Sequence, residues 1–111
     1  MSTTVTAVPT QTPLQKLVTY ALTFARLADE GARRESRGTS KGAQDAARHN
    51  RLRAGAFRFL AQDLAETCLT LEQEIEVSLR PGSENHPTAA WREAYAEVLR
   101  YAERLLRVEA V

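Results

Sequence analysis

One stretch constrains the fold of this chain more than any other: the proline-free run from Ala43 to Arg80, some 38 residues long. Along it, small or apolar residues recur at alternating spacings of three and four: Ala47, Asn50, Ala54, Phe57, Ala61, Leu64, Cys68, Leu71, Ile75 and Ser78. A period of 3.5 residues held over more than four heptads is wrong for a strand and right for a helix with one buried seam. The spacing predicts one helix over 43–80, continuous or bent near Gly55, about 55 Å long at 1.5 Å per residue.

The flanking segments read the same way. Thr12, Pro13 and Gln15 form an N-terminal capping signature, with the threonine as cap and proline in the first turn. From there Leu14, Leu17, Val18, Ala21, Phe24, Ala25, Ala28 and Ala32 make one apolar stripe. This first helix is expected to fail between Gly31 and Gly38, because the segment 37–42 is glycine- and hydroxyl-rich, and Thr39 or Ser40 can cap the next. Arg80-Pro81-Gly82 is a strong stop. A third helix is expected from Pro87, capped by Asn85 or His86, with Trp91, Ala94, Tyr95, Val98, Ala102, Leu105 and either Leu106 or Val108 facing inward.

The expectation is therefore all-α: an antiparallel bundle of three helices, about 13–37, 43–80 and 87–110, with a long central helix. Residues 1–12, which hold no charge and no aromatic ring, are expected to be a flexible tail on a single domain spanning 13–111. The outer helices are each about 25 residues, too short to cover the central one. Each end of that helix then has a single companion, and the uncovered apolar seam predicts a homo-oligomer or docking into a larger complex.

Charge enters where function does. The formal net charge is only +1, yet residues 26–58 carry nine Lys/Arg against four acids, while residues 59–86 carry one Arg against six acids. The chain is electrically a dipole. Arg33, Arg34, Arg37, Lys41, Arg48, Arg51 and Arg53 straddle the first interhelical connection and converge on one end of the bundle. Such a cluster suits phosphates, so nucleic acid or another phosphate-bearing ligand is the expected partner. No aromatic residue interleaves these cations, which favours backbone contact over base stacking. The acidic half, with Asp63, Glu66, Glu72, Glu74, Glu76 and Glu84, offers head-to-tail contact between subunits as another use of the same charges.

Catalysis and metal binding have little to stand on. His49 has no recognisable nucleophile and orienting acid beside it, and His49, His86 and Cys68 show no metal-ligand spacing. No catalytic residue, metal or cofactor is expected. Cys68 falls on the apolar seam and reads as a buried thiol, and Asn50 reads either as a polar residue fixing the register of that seam or as a sign that this part of it is not buried. A single cysteine with no apolar run of transmembrane length fits a cytoplasmic protein away from membranes.

Asn50-Arg51-Leu52-Arg53-Ala54, followed by Leu64-Ala65-Glu66-Thr67-Cys68-Leu69-Thr70-Leu71-Glu72, loosely resembles the histidine-phosphotransfer domain family. That family carries a His-x-Leu-Lys-Gly motif before a Leu-Ala-Glu-rich helix. Here Asn50 stands at the phosphoacceptor position, Arg53 at the lysine and Ala54 at the glycine, while His49 is one residue away, about 100° around the helix. The resemblance implies a docking domain that has lost phosphotransfer. The reading that follows from the residues themselves is a non-enzymatic helical protein working by association. Its basic end contacts nucleic acid or phosphate, or else it serves purely as an assembly module.

Overall fold

The computed structural model describes residues 11–80 and 88–109. All regular structure among them is helical: α1 (Pro13–Glu35), α2 (Lys41–Glu66), α3 (Leu71–Glu74), which runs on into a π-helical turn (Ile75–Leu79), and α4 (Ala89–Glu109). The expected tail lies outside the described residues for its first ten positions, as do the expected caps Asn85 and His86.

α1 starts as its capping signature predicts. The Thr12 hydroxyl accepts from the Gln15 amide at 3.1 Å and the Gln15 side chain accepts from the Thr12 amide at 2.8 Å. The helix ends at Glu35, within the expected stretch between Gly31 and Gly38, with the Ser36 amide donating back to the Ala32 carbonyl. Ser40 then caps α2, its hydroxyl accepting from the Ala43 amide at 3.0 Å. α4 opens behind Thr88, whose hydroxyl accepts from the Trp91 amide.

The long central helix does not form. α2 passes unbroken through Gly55 and stops at Glu66, and the chain turns over 67–70. Two threonines hold the break. Thr67 is extended (φ −72°, ψ 148°), and its hydroxyl both accepts from the Leu69 amide and donates to Glu74. Thr70 caps α3 in a second reciprocal box with Gln73. Short hydroxyl side chains compete for backbone groups in this way, and here they win over helix propagation. The spacing of three and four continues in sequence across the break, and beyond it Leu71 and Ile75 are still buried. Cys68, expected in the core, sits in the break and is exposed.

α1 and α2 pack along their length with residue numbers rising on one and falling on the other. Asn50 lies at Gly31, the Phe24 and Phe57 rings are 5.6 Å apart, and Leu14 and Leu64 line one cleft. Alanines make this contact: Ala21, Ala25, Ala28 and Ala32 on α1, and Ala47, Ala54 and Ala61 on α2, all buried. Methyl-sized side chains let two backbones approach closely while losing no side-chain rotamer entropy. Larger residues fill the part of the core shared with α3 and α4: Leu17, Phe57, Leu60, Leu64, Leu71, Ile75, Leu79, Val98 and Leu105. At the last position Leu106 packs against the core and Val108 is exposed.

α4 lies across α2 rather than along it. His49 and Phe59, ten residues apart on α2, meet Glu93 and Trp91, two residues apart on α4. Farther along, α4 packs on α1, where the Tyr101 ring stacks on Tyr20 at 4.1 Å and Glu97 accepts from the Tyr20 hydroxyl. Arg80, just past the π turn, reaches Glu103 at 3.1 Å.

Candidate nucleic-acid interface

The hairpin of α1 and α2 decides where each of the seven cations goes. On α2, Lys41, Gln44, Arg48, Arg51, Gly55 and Arg58 recur every three or four residues and so occupy one stripe away from the alanine seam. On α1, Arg26, Glu30 and Arg33 fall on one stripe, and Arg37 follows in the turn. The ion pair of Arg58 with Asp29, at 2.5 Å, ties the edges of the two stripes together.

Pairing then sorts these cations. Lys41 holds Asp45 at 2.8 Å, and its ammonium keeps the Asp45 carboxyl below its ordinary range, with Arg48 adding a weaker pull. Arg58 is taken by Asp29. Arg33, Arg34, Arg37, Arg48 and Arg51 are exposed and form no ion pair among the described residues. Arg33, Arg34 and Arg37 share a shallow groove with Glu30.

Arg53 stands apart from this group. It is half-buried, its guanidinium lies over the Phe57 ring at 5.7 Å, and its Nε is 3.6 Å from Glu93 Oε1. The same carboxylate oxygen meets His49 Nε2 at 2.8 Å. His49 and Arg53 thus join α2 to α4 through one glutamate, and neither faces the outer stripe. Asn50, on the seam as its spacing requires, accepts from Arg53 Nη1 at 3.4 Å. Of the seven sequence-selected cations, Arg33, Arg37, Lys41, Arg48 and Arg51 belong to the outer face. Arg34 stands at its edge, and Arg53 is structural.

The acidic half is less uniform than its sequence reads. Glu74 is 2% exposed, accepts from Thr67 Oγ1 at 2.6 Å, and has its second oxygen buried with no hydrogen-bond partner. It supports the corner between α2 and α3 and presents no charge to a partner. Asp63, Glu66, Glu72 and Glu76 are exposed, while Glu84 lies outside the described residues. Three contacts that knit the fold went unseen in the sequence: Glu93 with His49 and Arg53, Tyr20 with Glu97, and Glu74 with Thr67. The first two join residues 44 and 77 apart and leave no local trace.

Among the described residues no three His, Cys, Asp or Glu side chains converge into a possible metal site, and no helix is long and apolar enough to cross a membrane. Comparison of the chain with protein-family models, with curated proteins and with solved structures finds no match.

Proposed function

We propose that this protein is a non-catalytic helical binding protein whose α1–α2 hairpin grips the phosphate backbone of a nucleic acid. The observation that carries this reading is the set of exposed arginines at this end that form no ion pair among the described residues: Arg33, Arg37, Arg48 and Arg51, with Arg34 at the edge. Charged side chains without partners gain most from an external polyanion, because binding releases condensed counterions and breaks no internal pair. The outer face holds no aromatic ring between these cations, so contact with sugar–phosphate and little base selectivity follow. Cys68, a single exposed thiol, suits a reducing compartment such as the cytoplasm.

The test is fluorescence anisotropy with labelled single- and double-stranded 20-mers over a salt series. Five phosphate contacts give a log–log slope of about −4 to −5 on duplex, a loss of several hundredfold in affinity between 50 and 200 mM salt. Absence of binding at low salt by the folded protein would end this reading.

A second use, self-association, is favoured by charge complementarity between the basic hairpin end and exposed Asp63, Glu66, Glu72 and Glu76, together with exposed Leu22, Leu52 and Phe59. The partner is then a second copy of the chain, and light scattering at tens of micromolar shows a dimer or larger species. A monomer at that concentration would exclude it.

A further inference from the structure

We propose that the crease between α1 and α2 at Gly31 is a binding site for a small organic oxyanion, a phosphate or carboxylate carrying one apolar group. It lies on the flank of α1 away from Asp29 and Arg33 and shares only Arg34 with the face proposed to meet nucleic acid. The crease has a volume of about 230 Å³, and its lining includes Phe24, Leu27, Gly31, Arg34, Asn50 and Arg53.

Its polar side chains are Arg34, Asn50 and Arg53. The Arg34 guanidinium has no ion pair or hydrogen bond among the described residues. The Asn50 carbonyl is used by Arg53, which leaves its Nδ2 hydrogens with no acceptor among the described residues. Arg53 Nε is buried without a hydrogen-bond partner, its nearest anion being Glu93 at 3.6 Å. Two donor groups meet at the crease with no acceptor of their own among the described residues, the Arg34 guanidinium and the Asn50 amide, and the Arg53 cation stands behind them; together they call for an oxyanion.

Gly31 is what lets them gather. A Cβ there would stand 3.0 Å from Asn50 Nδ2 and 3.8 Å from Arg34 Nη2. The amide and the guanidinium therefore occupy the space that any larger residue would fill. Phe24 and Leu27, the latter 47% exposed, form the apolar wall on which the substituent of the ligand rests.

The experiment titrates the full ¹⁵N-labelled chain with inorganic phosphate, phenyl phosphate and benzoate, following the Asn50 side-chain amide and the Gly31 backbone amide. Phenyl phosphate or benzoate is expected to shift both and to bind at least about tenfold more tightly than inorganic phosphate. Which of the two binds more tightly identifies the oxyanion head. Arg34→Gln, at an exposed residue whose loss leaves the fold intact, weakens binding about tenfold or more. Gly31→Ala does the same by displacing the Asn50 amide. Arg33→Gln, its neighbour on the outer face, leaves small-anion affinity unchanged while weakening any nucleic-acid binding. The proposal is overturned if the Asn50 amide does not move with any of the three probes, if inorganic phosphate binds as tightly as the organic anions, or if Arg33→Gln costs as much as Arg34→Gln.

Discussion

Tyr20 shows how a single side chain can hold two helices and report on them. Its hydroxyl donates to Glu97, and burial together with that carboxylate pushes its pKa up to about 12. The neutral phenol is therefore favoured in the folded state. The stability this brings is complete below pH 10 and is lost as pH rises from 10 to about 12. Tyr95 is also raised, chiefly by burial, so both contribute to an alkaline loss of stability. Tyr20→Phe should shrink that loss without abolishing it, as read by thermal unfolding followed at a series of pH values. Glu97 shifts the other way, pulled down by the Tyr20 hydroxyl and then by Arg100. Its contribution is present above pH 4.5 and fades as pH falls below that value, and Tyr20→Phe weakens this limb too. Neither partner was visible in the sequence, because a tyrosine at the edge of a helical stripe looks the same with or without a carboxylate 77 residues away.

At the scale of elements, the informative failure is the expected 43–80 helix. Periodicity alone could not see the break, since Leu64, Cys68, Leu71 and Ile75 keep the spacing of three and four across it. The signal that does mark it is Thr70-x-x-Gln73, a capping box of the kind that correctly placed the start of α1 at Thr12. A capping box inside an unbroken apolar pattern carries more weight than the pattern. Removing the hydroxyl with Thr70→Ala should cost about 1 kcal/mol. Thr67→Val, which strips the buried Glu74 of its donor and Leu69 of its acceptor, should cost about 1–3 kcal/mol. Both are read from urea unfolding midpoints. Of the two expectations at Gly55, continuity or a bend, α2 takes the first: Gly55 is an ordinary interior position, where a side-chain methyl group would meet nothing within 4 Å. Gly55→Ala should stabilise the protein by about 0.5–1 kcal/mol. A loss of stability at that position would mean that α2 needs its freedom to bend there.

At the scale of the molecule, the large apolar residues gather toward the acidic half, while the basic half is a hairpin built on alanine. The alanine seam was legible from sequence, and so were the charge asymmetry and the all-helical class. What sequence could not supply was the sorting of cations by partner. Arg53 and Arg51 sit two positions apart in one basic run, yet one is tied to Glu93 across the α2–α4 contact and the other faces water. That sorting depends on where α4 crosses, which no local pattern encodes. Replacing Arg33, Arg37, Arg48 and Arg51 together by Gln should leave the helical signal intact and lower nucleic-acid affinity at 50 mM salt by about two orders of magnitude or more, at roughly one counterion per lost contact. Replacing Arg53 instead should cost stability before it costs binding.

Amide chemical-shift mapping with a short oligonucleotide at low salt decides whether the outer face of the α1–α2 hairpin contacts phosphate backbone. The expected result is a continuous set of shifts over residues 33–37 and at Lys41, Arg48 and Arg51, fading as salt is raised, with α3 and the π turn unmoved. Shifts confined to the acidic half, or none at all in a folded sample, would contradict it.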